Sequence, residues 1–356
     1  MSDHGLRERI LAAWVGRVSG CMLGKPVERL SMRRGHDVLI DYLQGARALP
    51  LRDYVPFAEG HAHNREIDSS CCKQQLSRAE PDDDINYTVL SLMLLEDHGA
   101  ELTTTDVARM WLNRLPLGMT FTAERAAYRV LAERADEWFA QRGEPGFELA
   151  ECSDNPYNDW IGAQIRTDLY GWVCPGRPEQ AADLARRDAE LSHRGDGIQG
   201  ARFVAAMGAA IPAADSLESA ALRALALIPE TSGAASAIRL GMGLAGDIGG
   251  DAVIRNEYSG MSPVHTLNNL AIVVWSLLSH PDDFSAAIGD AVAAGLDTDC
   301  NGATVGGLWG MQGKPIPARW SAPWQGRVGV SLAGLAELRL EDLVDRTLSV
   351  AGNLVK

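Results

Sequence analysis

The chain has 356 residues, of which 46% are hydrophobic and 22% are charged, and 33 Lys and Arg against 47 Asp and Glu give a formal net charge of −14. This composition is close to that of ordinary globular proteins and excludes a disordered chain, a collagen or a coiled coil. The acidic balance disfavours nucleic acid as a partner, and no apolar run approaches the roughly 18–20 residues of a membrane span.

The six cysteines are spread over the chain without a C-x-x-C pair, which indicates neither a disulfide framework nor a thiolate zinc site. The first ten residues lack the basic and uninterrupted apolar regions of a secretory signal. We therefore expect a cytoplasmic protein.

Apolar residues recur with a period near 3.6 almost throughout, and no stretch of strand length alternates convincingly. The sequence predicts an all-α fold, a compact single-domain helical bundle over residues 1–356. The first helix is predicted over 6–23, ending at Gly24-Lys25-Pro26, with Gly16, Gly20 and Gly24 allowing a neighbouring backbone to approach. A long polar loop or lid with short helical pieces is expected at about 28–80.

The remaining helices follow one another along the chain. Thr104 or Thr105 is expected to cap the second of them, and small residues such as Gly302 and Gly306 should let helices pack closely. The predicted ranges are 85–98, 105–115, 122–138, 178–192, 198–211, 216–228, 232–244, 266–279, 284–294, 301–311 and 341–350.

Two acidic clusters each precede a predicted buried helix. The first is Asp82-Asp83-Asp84; helix capping accounts for one or two of these carboxylates, whereas three repel one another, so capping and metal binding both stay open. The second is Asp297-Thr298-Asp299, where two carboxylates at a tight turn suit a hard cation such as Mg²⁺ or Mn²⁺.

These clusters belong to a set of five ordered motifs in which the sequence resembles the ADP-ribosylglycohydrolases, a family that includes the dinitrogenase-reductase-activating glycohydrolases. The resemblance extends from the first helix to about residue 311. The motifs are Gly24-Lys25-Pro26-Val27-Glu28, Asp82-Asp83-Asp84, Gly162-Ala163-Gln164-Ile165-Arg166, Ser192-His193-Arg194-Gly195-Asp196-Gly197 and Asp297-Thr298-Asp299-Cys300-Asn301.

The resemblance implies an all-α fold with a dinuclear site for two Mg²⁺ or Mn²⁺ ions in a central cleft. It places Asp82 and Cys300 where many members have a ligating Thr, and Asn301 or a water is the alternative to Cys300. The metal ligands that the resemblance implies are Asp82, Asp83, Asp84, Asp297, Asp299 and Cys300.

The same resemblance implies a metal-dependent glycohydrolase that cleaves the C1″ glycosidic bond of an ADP-ribosyl or related ribosyl substrate, with metal-held ribose hydroxyls and an activated water. Glu28, Asp83 and Asp299 would be the catalytic residues, with Glu28 as general base or proton shuttle. The substrate-binding residues would be Gly162, Ala163 and Gln164, whose backbone amides hold the diphosphate, and His193.

The implied substrate is an ADP-ribosylated protein or a small ribosyl compound. Because Asp82 and Cys300 replace Thr, a nucleoside-like N-ribosyl hydrolase is an alternative enzyme. A catalytically silent structural or binding protein, like the crystallin relatives of the family, is the alternative outside enzymes. Nothing in the sequence indicates the oligomeric state.

Two further segments carry expectations. Asp168 either pairs with nearby Arg166 or faces the cleft, since close pairs of opposite charge are common. The loop Gly246-Asp247-Ile248-Gly249-Gly250-Asp251 lacks the Gly-Lys-Ser/Thr of a phosphate-binding loop and is expected instead to edge the cleft, near Asn268 and Asn269.

Overall fold

The computed structural model describes residues 3–134 and 144–354, and within them helices dominate, so the all-α prediction is confirmed. The described helices are α1 (Asp3–Arg34), α2 (His36–Gly45), α3 (Asp83–His98), α4 (Thr104–Arg114), α5 (Thr122–Arg134), α6 (Asp168–Trp172), α7 (Pro178–Ala189), α8 (Gly195–Ala210), α9 (Leu217–Leu225), α10 (Gly233–Gly243), α11 (Gly250–Glu257), α12 (Thr266–Ser279), α13 (Phe284–Ala293), α14 (Thr298–Gly310) and α15 (Leu340–Leu354).

Helices α1 and α14 form the centre of the fold, and their backbones touch. A Cβ atom at Gly16 would lie 2.0 Å from the carbonyl oxygen of Gly306, and one at Gly20 would lie 1.9 Å from that of Gly302. At Gly24 the nearest atoms belong to Thr298, at 2.3 Å. The predicted close approach is confirmed, and it brings the start of α14 against the middle of α1.

The predicted end of the first helix is wrong, because α1 runs through Lys25 and Pro26 to Arg34. A proline inside a helix removes one hydrogen-bond donor, but it ends the helix only where packing does not compensate for the lost hydrogen bond. Here Val27 and Leu30 are fully buried and extend the apolar face of α1 beyond the proline. Tertiary packing therefore outweighs the local signal.

The segment 28–80 contains helical pieces, as expected, but its irregular part is shorter than predicted. It contains the end of α1, all of α2 and two single 3-10 turns, at Asn64–Glu66 and Ser69–Cys71. Gly35, with φ of 82°, makes the sharp turn between α1 and α2, a conformation that only glycine adopts without strain. Tyr54 and Val55 are buried and fix the irregular segment to the core.

A small antiparallel hairpin near the C-terminal end was not predicted. Its strands are β1 (Arg327–Leu332) and β2 (Leu335–Arg339), with Arg327 opposite Arg339 and an irregularity between Gly329 and Leu332. The short alternation of Val328, Val330 and Leu332 was its signal in the sequence. The hairpin packs beside α3 and leads directly into α15.

Most helix boundaries agree with the predictions within a few residues. The cap of α4 is Thr103 rather than Thr104 or Thr105, and it forms a capping box with Asp106. Part of the helix predicted over 122–138 lies outside the described residues. Among the helices of residues 3–134 and 144–354, none is long and apolar enough to cross a membrane.

Candidate functional site

The two acidic clusters meet where the starts of α3 and α14 face the middle of α1. Asp84 and Asp299 link three overlapping groups of side chains, and within each group the possible ligand atoms lie within 4.8 Å of one another. The groups are Glu28 with Asp297 and Asp299; Asp84 with Asp299 and Cys300; and Cys21 with Asp82 and Asp84. Asp83 belongs to none of them but lines the adjoining cleft.

Helix α1 supplies this centre from a single face. Arg17, Cys21, Lys25 and Glu28 follow one another at intervals of four, four and three residues, the spacing that keeps side chains on one side of a helix. Arg17 and Cys21 are fully buried, whereas Lys25 and Glu28 reach the cleft. The helix therefore runs from a closed interior to an open pocket.

The donor set fits divalent cations. Asp84 Oδ2, Asp297 Oδ1 and Asp299 Oδ1 are buried, and none has a hydrogen-bond partner within the described part of the chain. A buried carboxylate oxygen without a donor is costly unless a cation balances its charge. Oxygen-rich sites of this kind suit Mg²⁺ or Mn²⁺.

Asp82 differs from the other members of the cluster. Its Oδ1 accepts a hydrogen bond from the backbone N–H of Asp84, at 3.0 Å, so it caps α3. Its Oδ2 accepts a hydrogen bond from the ammonium group of Lys25. Burial opposes ionisation of Asp82, but Lys25 outweighs it and holds the pKa of Asp82 below its ordinary value. The capping interpretation of the first cluster thus applies to Asp82.

The remaining carboxyl groups of the centre have raised pKa values. Burial, and then the charge of Asp82, raises the pKa of Asp299 to about 6 even though Lys25 lowers it. Burial and then nearby carboxylates also raise the pKa of Asp83, Asp84 and Asp297 well above the usual range. Such shifts indicate more negative charge than the surrounding side chains can balance.

Arg17 fixes Asp84 from behind. Its guanidinium donates to Asp84 Oδ1 at 3.2 Å, to Asp168 Oδ2 at 2.8 Å and to Thr88 Oγ1 at 2.6 Å. It also donates to the carbonyl oxygen of Ile165. Because all these groups are buried, Arg17 holds the acidic centre and the 161–166 segment in one arrangement.

Beside the acidic centre lies a cleft of about 510 Å³. Glu28, Asp83, Asp297 and Cys300 line it together with Gly162. Other lining residues are Lys25, Arg29, Met32 and Arg33 of α1, Met119, Phe121 and Glu124 across the opening, and Ile161, Ile165 and Val264. The cleft is thus acidic at the carboxylates and carries exposed guanidinium groups farther along α1.

The predicted diphosphate segment forms a buried 3-10 turn, Ile161–Arg166. Gly162 lines the cleft, whereas the N–H of Ala163 donates to Nε2 of His193 at 3.3 Å. His193 is fully buried, and burial together with Arg166 lowers its pKa well below the usual value. It supports the segment from behind as a neutral ring. Both polar atoms of the Gln164 side chain are buried without a partner in the described chain.

Asp168 neither pairs with Arg166 nor lines the cleft, so both alternatives for it are wrong. Asp168 accepts from Arg17, while Arg166 donates to Glu124 at 2.8 Å and to Asp188. The Glu124 carboxylate lies directly against Gly162, where a Cβ atom would be 2.0 Å from Oε1. Only glycine fits at 162, so this buried network determines how the segment faces the cleft.

The loop at 246–251 does not edge this cleft. Its residues line a separate pocket of about 490 Å³ together with His36, Trp275 and His280. Asn269 does lie at the centre: its Oδ1 accepts from the backbone N–H of Asp297 at 3.2 Å and from the Asn301 side chain at 2.8 Å. The expectation for the loop is therefore wrong, because the loop lies at a different pocket. Asn269, which was expected beside the loop, contacts the acidic centre instead.

A family model described as ADP-ribosylglycohydrolase matches residues 2–352. The chain belongs to the ADP-ribosylglycohydrolase family. Among solved structures 38 chains match; one, described as "ADP-ribosylglycohydrolase-related protein complex", has a TM-score of 0.58 and 19% identity over 99% of both chains. At that identity the likeness shows the fold alone. None of the curated proteins compared matches the sequence.

Membership makes this chain, at the level of its family, a glycohydrolase of the ADP-ribosyl type. Proteins of this family are generally metal-dependent, and the three overlapping groups could hold such ions.

Sequence reasoning assigned no role to Arg17, Cys21, Lys25 or Glu124, and it expected Asn269 near the cleft without giving it a role. For three of them the signal was present: Arg17, Cys21 and Lys25 share the helical spacing of Glu28. An arginine on an otherwise apolar helix face predicts a buried carboxylate partner. Glu124 and Asn269 have no such local signal, because only the folded chain brings them to the site.

Proposed function

We propose that the protein hydrolyses the C1″ glycosidic bond of an ADP-ribosyl substrate, with divalent cations bound by Asp84, Asp297 and Asp299. The observation that carries this proposal is the convergence of buried, unpartnered carboxylate oxygens from α3 and α14 beside Glu28. When bound, Mg²⁺ or Mn²⁺ would supply Lewis-acid chemistry and an anchor for the ribose hydroxyls.

Glu28 is the proposed proton carrier. It lines the cleft, and its carboxylate lies close to those of Asp297 and Asp299. Burial, and then the charge of Asp299, raises the pKa of Glu28 well above its ordinary value. A carboxyl group with a raised pKa can hold and release a proton near neutral pH, as the attack of water on C1″ requires. The surrounding anionic side chains favour positive charge developing on the sugar.

The cleft favours an anionic substrate over a neutral nucleoside. Arg29 and Arg33 lie one helical turn apart, beyond Glu28, and neither has an acidic partner within the described residues. With a rise of about 1.5 Å per residue, Arg33 lies roughly 7 Å farther along α1 than Glu28. A ribose at the carboxylates would extend its 5′-phosphate towards these guanidinium groups, and half-exposed Phe121 offers a face for a base.

A panel assay tests this proposal. Protein loaded with Mg²⁺ or Mn²⁺ would be given ADP-ribosyl-arginine, ADP-ribosyl-serine, O-acetyl-ADP-ribose and simple nucleosides, with product release followed by chromatography. We expect hydrolysis of at least one ADP-ribosyl compound, no hydrolysis of nucleosides, and loss of activity after chelation by EDTA. Full activity after rigorous chelation would contradict the metal-dependent mechanism. Preference for nucleosides would favour the alternative enzyme.

A further inference from the structure

The peptide group between Leu296 and Asp297 is held at both ends by side chains from two other helices. Its carbonyl oxygen accepts a hydrogen bond from Ser31 Oγ of α1 at 2.8 Å, and its N–H donates to Asn269 Oδ1 of α12 at 3.2 Å. Both side chains are buried. Because Asp297 is one of the proposed metal-binding residues, these two bonds determine where the backbone places its carboxylate.

This peptide group lies in a turn that local preferences do not favour. Gly295 has φ of 82° and Leu296 has φ of 61°, so two successive residues are left-handed. Glycine adopts this conformation freely, whereas leucine is strained in it. The turn therefore needs support from outside itself, and hydrogen bonds from α1 and α12 supply that support.

The orientation of the Asn269 amide is fixed by its other partners. Its Nδ2 donates to the carbonyl oxygens of Pro263 and His265, both at 2.8 Å. A carbonyl oxygen only accepts, so the amino end of the amide must face these two residues. Oδ1 is then directed at the start of α14, where it accepts from the Asp297 N–H and from the Asn301 side chain. Asn269 cannot turn away from Asp297 without losing these bonds.

We propose that Ser31 and Asn269 are positioning residues of the metal centre, which together hold the 296–297 peptide so that the Asp297 carboxylate meets the bound cation. Asp297 offers a ligand atom within 4.8 Å of those of Glu28 and Asp299, and its Oδ1 is buried without a partner in the described chain. Side chains that orient a metal ligand without touching the ion typically contribute roughly 10–100-fold to metal affinity. The inference rests on the metal site of the proposed function, but it can be tested without any substrate.

The affinity for Mn²⁺ and the stability of the same variants provide the test. The full-length chain would be titrated with Mn²⁺ by calorimetry and unfolded in urea, as wild type, Asn269→Ala and Ser31→Ala. We expect Mn²⁺ to bind roughly 100-fold more weakly to Asn269→Ala, which leaves two N–H groups of α14 without their acceptor. In Ser31→Ala, which leaves one carbonyl oxygen without its donor, binding should be roughly tenfold weaker.

Each variant has a matched control. Asn268 is as buried as Asn269 and donates to the carbonyl oxygen of Ser262 at 2.9 Å, but no hydrogen bond joins it to α14 in the described chain. Ser276 is fully buried and donates to the carbonyl oxygen of Ala287 on α13 at 2.6 Å, outside the three groups. Asn268→Ala and Ser276→Ala should lose stability as the test variants do, since each also leaves a buried carbonyl oxygen without its donor. Both should bind Mn²⁺ as the wild type does.

Wild-type affinity for Mn²⁺ in either folded test variant, or an equal loss of affinity in its control, would overturn the inference. If Asn269→Ala does not fold, as judged by circular dichroism, Ser31→Ala decides, because it removes a single hydroxyl group at the other end of the same peptide.

Failure of the proposed function would show itself differently. Weaker Mn²⁺ binding in the two test variants alone, in a protein that hydrolyses no ADP-ribosyl compound, would support the positioning role and contradict the proposed function. A wild type that binds no Mn²⁺ would overturn both.

Discussion

Glu28 is the side chain on which the proposed chemistry depends most directly. In Glu28→Gln the shape of the side chain is kept but no proton can be carried. We expect kcat to fall by roughly 10²–10⁴-fold, the usual contribution of a general acid or base. KM should change little, since the carboxylates and guanidinium groups that would hold the substrate remain. Steady-state kinetics on an ADP-ribosyl substrate measures both values.

The control for this variant is Glu230→Gln, because Glu230 is exposed and lies in none of the three groups. It should keep wild-type kinetics. If Glu28→Gln also keeps wild-type turnover, Glu28 takes no part in the chemistry, whatever the metal content of the protein.

Arg17 carries a second prediction at the level of one residue. The Arg17 guanidinium donates through all three of its nitrogens to oxygens on several sides, whereas a lysine ammonium has three N–H groups at a single point. Arg17→Lys should therefore leave buried oxygens without a donor. We expect the free energy of unfolding in urea to fall by about 3–5 kcal/mol, the cost of breaking a buried pair. Arg346→Lys breaks a two-bond contact with half-exposed Glu96 and should cost about 1 kcal/mol or less. Equal losses of unfolding free energy in the two variants would mean that the buried hydrogen bonds of Arg17 stabilise the fold no more than an ion pair at the surface does.

Among the elements, the contact between α1 and α14 determines whether the site forms. Gly20→Ala would place a Cβ atom 1.9 Å from the carbonyl oxygen of Gly302, which neither helix can avoid without moving apart. We expect a loss of more than about 3 kcal/mol in the free energy of unfolding, together with weaker metal binding. Urea denaturation and calorimetry with Mn²⁺ measure the two effects.

A matched glycine provides the control. Gly352 lies in α15, and a Cβ atom there would meet nothing within 4 Å. Gly352→Ala should therefore stabilise the protein slightly, by about 0.4–1 kcal/mol, because alanine has less freedom to lose on folding. A Gly20→Ala protein as stable as the wild type would mean that α1 and α14 do not need this contact.

The elements also show what the sequence could reveal. Helical periodicity located most helices, and glycines spaced four apart predicted that a neighbouring backbone approaches α1 closely, because both are local patterns. That α14 is this neighbour was not predicted. The course of α1 beyond Pro26 and the hairpin at 327–339 depend on packing against distant segments, which periodicity does not report. At the site, the acidic clusters were visible, whereas the pairing of Lys25 with Asp82 required two segments to meet.

At the scale of the whole molecule, the net charge of −14 is unevenly distributed. Glu28, Asp82, Asp83, Asp84, Asp297 and Asp299 converge near one point, and Arg17 and Lys25 are the cations bonded to them in the described residues. Such a concentration of charge makes the stability of the metal-free protein depend on pH.

The sign of that dependence follows from the raised pKa values. Asp299 has a pKa of about 6 in the folded chain, and its ordinary value is about 4. The folded state therefore binds the proton more tightly than the unfolded state does. This tighter proton binding stabilises the folded state fully below about pH 4, and the stabilisation is lost as pH rises through about 6. In the proposed function, we expect divalent ions to replace the missing protons above that pH.

We therefore expect Mn²⁺ to raise Tm little at about pH 5 and clearly more at about pH 7.5, since protons and Mn²⁺ compete for the same carboxylates. Differential scanning calorimetry with and without Mn²⁺ measures the shift at each pH. In Asp299→Asn the metal-free protein should be more stable than the wild type at about pH 7.5, by on the order of 3 kcal/mol, and should respond weakly to Mn²⁺. A shift in Tm that does not depend on pH would place the bound ions away from these carboxylates.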